Sequence, residues 1–307
     1  MDRSMPQAVT LVEVGPRDGF QFETRVVPTE RKLAVIARLA AAGLKAIQVA
    51  SFVNPARVPQ MADAERLVRG LPADDGVAYS ALVLNRRGLD RAMACGVRTV
   101  EISLSASDTH SRKNTGMDRD EALRQGLAMI DRAVRAGLHV RAGVQCVFGC
   151  VYEGRMDAAR TADIVCRFAD HGAHSLSLAD TTGMASPPTI RETLETVLPL
   201  AGRLPMALHL HDTRGLGLVN LNAALQLGIA TFDTALAVMG GCPFVAGAAG
   251  NIATEDTVHF LDTLGIRTGV DHRRVGAVSR DLETFFQKAF PGRLHRLTAP
   301  GTPPTPA

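Results

Sequence analysis

Tryptophan is absent from this chain of 307 residues, tyrosine occurs twice, and aromatic residues make up only 4%. Any core must therefore be built from Leu, Val, Ile, Ala and Phe. Charge of one sign is also lacking: 34 Lys and Arg stand against 31 Asp and Glu, a formal net charge of +3. That excess is too small to imply a nucleic-acid partner, although a polyanionic small molecule stays open. Five cysteines are too few, and odd in number, for a disulfide framework, which fits a reducing cytoplasm. No apolar run approaches the roughly 18 residues of a membrane span. Residues 1–8 carry no hydrophobic signal core.

What the chain does have is a steady beat of short apolar runs and longer helix-period segments. The runs Val9–Val14, Ala46–Ala50, Ala78–Val83, Thr99–Leu104, Val140–Val147, Ser175–Ala179, Ala207–Leu210 and Thr231–Ala237 read as strands buried on both faces. Between them, Thr29–Ala42, Asp118–Ala136, Asp157–Asp170, Pro188–Leu200 and Leu216–Leu227 have helical periodicity. Gly43, Gly96, Gly137, Gly172 and Gly228 each end a helix and precede a strand, as a left-handed helix cap does. Eight strands alternating with helices predict an α/β fold of the (β/α)8, or TIM-barrel, type; a doubly wound sheet is the competing arrangement. A further helical stretch, Asp271–Ala289, should pack across the barrel. The sequence shows no internal boundary, so residues 1–297 are expected to form one catalytic domain. The Pro-, Thr-, Gly- and Ala-rich tail 298–307 is expected to be disordered.

In such a barrel, chemistry sits at the C-terminal ends of the strands. There the sequence places Glu13 followed by Gly15-Pro16-Arg17-Asp18-Gly19, Gln48 and Ser51, Asp180-Thr181-Thr182-Gly183, His209-Leu210-His211-Asp212, and Gly240-Gly241-Cys242-Pro243 with Asn251 beyond. Residues i and i+2 of a strand share a side, so His209 and His211 project together. Facing the barrel mouth they make half a metal site; facing away they are two packed or surface histidines. Barrel closure puts strand eight between strands seven and one, which brings Asp18 and Asn251 beside the pair. Two nitrogens and two oxygens leave room for two further ligands in an octahedron. Mg²⁺ or Mn²⁺ suits that set, with Co²⁺, Fe²⁺ or Zn²⁺ favoured by the imidazoles. Arg17, next to Asp18, reads either as an ion-pair partner or as a donor to a thioester oxygen that becomes an enolate. Cys242, on a glycine-flanked mouth loop, reads as a proton-donating thiol or as an inert one. Cys146-x-x-x-Cys150 lacks a second pair to complete a zinc site and is read as structural.

These motifs resemble the 3-hydroxy-3-methylglutaryl-CoA (HMG-CoA) lyase family of metal-dependent barrel lyases. The resemblance runs in order over about residues 9–270, through Val14-Gly15-Pro16-Arg17-Asp18-Gly19, Ser51-Phe52-Val53-Asn54-Pro55, Tyr152-Glu153-Gly154, Asp180-Thr181-Thr182-Gly183, His209-Leu210-His211-Asp212-Thr213 and Gly240-Gly241-Cys242-Pro243-Phe244. It implies a divalent metal held by Asp18, His209, His211 and Asn251, and retro-Claisen cleavage of an acyl-CoA substrate. It implies that Arg17 stabilises the enolate, that Cys242 protonates it, and that Asp180 and His209 are candidates for proton transfer. Gln21, Phe22, Gln48, Ser51 and Arg214 would bind the substrate, and the enzyme would be a homodimer with no nucleic-acid or membrane partner. Three positions depart from the family pattern: Gln48 stands for Glu, Phe22 for Asn and Arg214 for Tyr. Those departures keep open a related 3-hydroxy-3-alkylglutaryl-CoA or another hydroxyacyl-CoA as substrate, and an inactive acyl-CoA-binding paralogue. A Claisen synthase or aldolase shares the barrel and metal set, but the synthases carry C-terminal domains for which this chain has no room.

Overall fold

The computed structural model describes residues 5–241, 245 and 247–297. Eight parallel strands, each hydrogen-bonded to the next and the last to the first, close a barrel. They are β1 (Thr10–Glu13), β2 (Ala46–Ser51), β3 (Ala78–Val83), β4 (Thr99–Ser105), β5 (His139–Gln145), β6 (Ser175–Ala179), β7 (Met206–His209) and β8 (Thr231–Thr234). The helices are α1 (Thr29–Ala41), α2 (Ala64–Arg69), α3 (Arg86–Ala94), α4 (Asp108–Thr115), α5 (Arg119–Arg135), α6 (Ala158–Asp170), α7 (Pro187–Val197), α8 (Gly217–Leu225), α9 (Thr254–Thr263), α10 (His272–Phe286) and α11 (Leu294–Leu297). The predicted (β/α)8 barrel is therefore the observed fold. The tail 298–307 lies outside the described residues.

Two strands end two or three residues earlier than their apolar runs predict. β5 stops at Gln145 because Cys146 takes φ = +57° and gives its N–H to the Thr181 hydroxyl at 2.8 Å, which turns the chain out of the ladder. β8 stops at Thr234 because the next residues form a tight turn, with Ala237 at φ = +57° and Val238 at φ = +64°. A β-branched residue in the left-handed region is strained. The turn is held by the buried Glu255 carboxylate, which accepts the Ala237 N–H at 3.0 Å. Apolarity alone does not distinguish strand from buried turn.

The long C-terminal helix α10 packs against α1, where Asp281 pairs with Arg31 and Arg38. Its Ser279 hydroxyl donates to Glu255 at 3.0 Å, so α10 also supports the turn after β8. At the other end of the same region, buried Glu13 accepts the N–H groups of Gly15 and Leu236 and the Thr254 hydroxyl. One carboxylate thus ties the loop after β1 to the loop after β8.

The five helix-ending glycines all have positive φ. Gly43 is the most constrained: at φ = +103° an added Cβ would lie 2.1 Å from the Gly269 carbonyl oxygen, whereas one at Gly137, φ = +77°, would meet nothing within 4 Å. Gly137→Ala should therefore cost only the left-handed penalty, about 1–2 kcal/mol. Gly43→Ala must add a backbone displacement and should lose about twice that or more. Equilibrium urea unfolding of the two variants checks the ordering; equal losses would show that the 42–44 and 268–270 segments separate freely.

Candidate metal centre and active site

The loop after β1 begins with a helical turn, Gly15–Gly19, whose proline at its second position fixes the entry. The Asp18 N–H closes this turn on the Val14 carbonyl at 2.7 Å. Arg17 and Asp18 are thereby buried together, and the Arg17 Nη1 is in contact with Asp18 Oδ1. Two strands round the barrel, β7 and the residues just after it present His209 and His211 on one side, with Leu208 and Leu210 fully buried on the other. The chain after β8 returns to pair with this end of β7: Ile252 N–H bonds to the Leu210 carbonyl at 3.1 Å, and Asp212 N–H to that of Gly250 at 2.9 Å. This short antiparallel bridge sets Asn251 opposite His211.

The result is one cluster. Ligand atoms of Asp18, His209 and His211 all lie within 4.8 Å of one another, the one such cluster among the described residues. His209 Nε2 and His211 Nε2 are 3.2 Å apart. Two neutral imidazoles that direct lone pairs at each other repel, and a cation between them removes the repulsion. Asn251 Nδ2 donates to Asp18 Oδ2 at 2.8 Å and to the Met239 carbonyl at 3.0 Å, while its Oδ1 is buried with no partner. An orphaned buried acceptor costs stability unless something polar meets it. A hard cation would, so the residues present fit a divalent metal. Gly240 allows the arrangement, since an added Cβ would lie 2.4 Å from Asn251 Nδ2 and 3.0 Å from Asp18 Oδ2.

The protonation states of Asp18 and His211 agree with ligation. Burial works against the Asp18 charge, but the Arg17 guanidinium, with His209 and Asn251, holds its carboxyl below the usual range. Burial and the neighbouring His209 push His211 down to about 3, so it is a neutral imidazole. His209 moves the other way: burial opposes its charge, but the hydrogen bond and charge of Asp233 outweigh it. Its Nδ1 faces Asp233 Oδ2 at 3.1 Å, an arrangement that fixes Nδ1 as the protonated nitrogen and leaves Nε2 free to ligate.

Asp233 belongs to a wider circuit that the motifs did not reveal. Arg141 Nη2 contacts both Asp233 oxygens, at 2.7 and 2.8 Å, and the Ser177 hydroxyl at 2.7 Å. Arg141 Nε lies 3.6 Å from Glu101 Oε2. Gln48 Nε2 donates to the same Glu101 oxygen at 2.8 Å, and Gln48 Oε1 accepts from Arg17 Nε. Strand register accounts for two of these meetings, because His209 pairs directly with Asp233 and Glu101 with Arg141; the contacts of Arg141 with Asp233 and of Gln48 with Glu101 join strands that are not neighbours, across the barrel interior. The available signal was a single charged residue inside each of three otherwise apolar strands.

Other expected site residues fall as follows. Gln21 and Phe22 line the pocket above the cluster; Ser51 is buried beneath and donates to Gln21 Oε1 at 3.2 Å. Asp180 and Arg214 are not among the residues that line this pocket. Ala179 and Thr181 line it, while Asp180 Oδ1 accepts the N–H groups of Met184 and Ala185 at 2.8 and 3.0 Å and its Oδ2 is buried with no hydrogen-bond partner. Burial raises its carboxyl to about 6, so the unpartnered oxygen remains a candidate for proton transfer. Arg214 is not a pocket residue either, since its Nη1 is bound to the carbonyls of Thr182 and Gly183 at 2.9 and 2.6 Å and latches the loops after β6 and β7. Cys242 lies outside the described residues.

A parallel eight-stranded barrel with an Asp-His-His cluster and a buried arginine at its C-terminal mouth defines a barrel of the enzyme type with a candidate metal centre. Residues 8–282 match the HMGL-like family model. The chain belongs to the HMGL-like family. It is 39% identical over 272 residues to the mitochondrial hydroxymethylglutaryl-CoA lyase of Macaca fascicularis, covering 89% of this chain and 84% of that one. It is 40% identical over 275 residues to the hydroxymethylglutaryl-CoA lyase of Pseudomonas mevalonii, covering 89% and 90%. An HMG-CoA lyase from Acinetobacter baumannii, solved with coenzyme A and 3-methylmalate, superposes with a TM-score of 0.91 at 34% identity over 98% of both chains.

If Asp233 orients His209 for ligation, Asp233→Asn should weaken Mn²⁺ binding by roughly 10–100-fold. His209→Ala/His211→Ala should abolish stoichiometric binding. Isothermal titration with Mn²⁺ reads both, and a double variant that still binds one ion tightly would remove the site.

Proposed function

We propose that this protein is a divalent-metal-dependent carbon–carbon lyase that cleaves HMG-CoA to acetyl-CoA and acetoacetate by a retro-Claisen step. The observation that carries this reading is the contact of Arg17, in an HMGL-like chain, with a carboxylate of an Asp-His-His cluster at the mouth of the barrel. Asp18, His209, His211 and Asn251 would hold the metal, Mg²⁺ or Mn²⁺ by the oxygen-rich part of the set, with Co²⁺ and Zn²⁺ as the imidazole-favoured choices. When bound, it supplies Lewis acidity toward substrate oxygens.

The chain's own groups supply the rest. In the reaction the tertiary hydroxyl gives its proton to a base, for which Asp180 with its unpartnered Oδ2 is the candidate, and becomes a ketone; the adjacent carbon–carbon bond breaks, and its electrons form the enolate of acetyl-CoA. Arg17 lines the pocket, and Gln48 and Asp18 hold two of its nitrogens, so the remaining donors are pre-aimed at a developing thioester enolate. Cys242 is proposed as the acid that protonates the enolate carbon. His209 has one nitrogen on Asp233 and the other in the cluster, so ligation leaves it no site for proton transfer. Gln21, Phe22, Gln48 and Ser51 form or back the acyl side of the pocket. Phe22 puts an aromatic ring where the family pattern has an amide, which supports a second reading in which a 3-hydroxy-3-alkylglutaryl-CoA with a longer alkyl group is the better substrate.

A single catalytic unit over residues 1–297, acting as a cytoplasmic homodimer, completes the proposal. The four described cysteines are free thiols, and among the described residues no helix is long and apolar enough to cross a membrane.

Purified protein with Mg²⁺ or Mn²⁺ should release acetyl-CoA from HMG-CoA or its longer-chain analogues, and no release from any of them would refute the lyase reading. Cys242→Ser should keep Mn²⁺ affinity and lose roughly 10²-fold or more in kcat. Wild-type turnover in that variant would remove the thiol from the mechanism.

A further inference from the structure

Gln48 sits where the family pattern has a carboxylate, yet the pocket has one nearby on a different strand. Glu101, on β4, is buried to 8% exposure and lines the same pocket as Arg17. Its Oε2 accepts from Gln48 Nε2 at 2.8 Å. The amide orientation of Gln48 is dictated by its two neighbours. Arg17 offers only donors, so Gln48 must show it Oε1; Glu101 offers only acceptors, so Gln48 must show it Nε2. Without Glu101 nothing in this contact set prevents the amide from rotating by half a turn and directing N–H groups against the guanidinium.

We propose that Glu101 is the positioning residue for Arg17, acting through the Gln48 amide, so that the carboxylate function of the second strand is carried here by the fourth. Several features of the packing fit this assignment. Arg141 Nε, 3.6 Å from the same oxygen, keeps Glu101 in place, and Arg141 is in turn fixed on Asp233. Gly143 leaves the space for it: an added Cβ there would lie 3.1 Å from Glu101 Oε1 and 2.8 Å from the Ser103 hydroxyl. The arrangement also argues against a simple return to the family residue. Gln48→Glu would set a second carboxylate against Glu101 at hydrogen-bond distance, and two such groups cannot both ionise there.

The proposal rests on the lyase reading for its kinetic arm and on bonding alone for its spectroscopic arm. With Mg²⁺-loaded protein and HMG-CoA, Glu101→Ala should lower kcat by about tenfold or more and change KM by less than about threefold, because a misaimed Arg17 is missed in the transition state. Gln48→Glu should fall by a similar factor. The exchanged pair Gln48→Glu/Glu101→Gln, which restores one amide and one carboxylate in contact, should recover most of that loss. A double variant no more active than Gln48→Glu overturns the proposal, and it does so even if Glu101→Ala does not fold. Independently, the Arg17 Nε–H resonance of ¹⁵N-labelled protein, identified by its loss in Arg17→Lys, should exchange with solvent at least about tenfold faster in Glu101→Ala than in the wild type. Unchanged exchange also overturns it. If the wild type cleaves no thioester, the lyase reading fails, and the exchange measurement still decides whether Glu101 positions Arg17.

Discussion

A buried charge is tolerable only when another group meets it, and this barrel mouth is organised around that constraint. Asp18, Arg17, Gln48, Glu101, Arg141, Asp233 and His209 follow one another in contact, each at most 9% exposed except His209, which is half-buried. His209 then faces Asp18 again across the ligand cluster. The chain of contacts holds three carboxylates and two guanidinium groups, so with neutral imidazoles it carries one net negative charge. A divalent cation turns that into one net positive charge, which suits a pocket that must stabilise an enolate. The same sum explains why an uncharged Gln48 is compatible with Glu101: a carboxylate at both positions would add a negative charge with no cation beside it.

The fold supplies these neighbours without loops having to search for them. Paired strand positions put His209 beside Asp233 and Glu101 beside Arg141. Arg17, Asp18, His211 and Asn251 lie beyond the strand ends, and each of these segments is tied down locally. Glu13 bonds the first loop to the last, Glu255 holds the turn after β8, and the 250–252 segment pairs with the end of β7. Rigid attachment matters because a ligand set misplaced by about 1 Å loses much of its worth.

How much of this was readable depends on the range of each signal. His209 and His211 share a side because strand geometry repeats every second residue, which is a local rule. Asp18 and Asn251 required only that strand eight adjoin strand one, which any closed eight-stranded barrel provides. Glu101, Arg141 and Asp233 were not singled out, since a lone charge within an apolar run does not announce its partner; the partner is set by register, which the sequence does not display. Asp180 shows the opposite limit. Its motif attracts attention, but alternation from Ala179 turns its side chain toward the Met184 and Ala185 amides. Arg214 looked like a free cation at the mouth until the loop carbonyls of Thr182 and Gly183 claimed it.

These placements narrow the chemistry. A group that moves a proton must touch both the substrate and a route for the proton. Asp180 lies outside the pocket lining with only its Oδ2 left unpartnered, and ligation would occupy the remaining nitrogen of His209. What the described residues offer the substrate is therefore mainly fixed charge and fixed hydrogen-bond donors, with Arg17 the clearest of them. Catalysis of that kind depends on donors already aimed before bond breaking begins, because reorienting them during the reaction would consume the stabilisation they give. A network that locks Arg17 from Asp18 on one side and from Glu101 through Gln48 on the other meets that requirement. Its cost is several buried ionic groups that an apolar core would replace with no loss of stability. Their retention around this one guanidinium is intelligible as preorganisation, for which the barrel's packed apolar shell provides the stability.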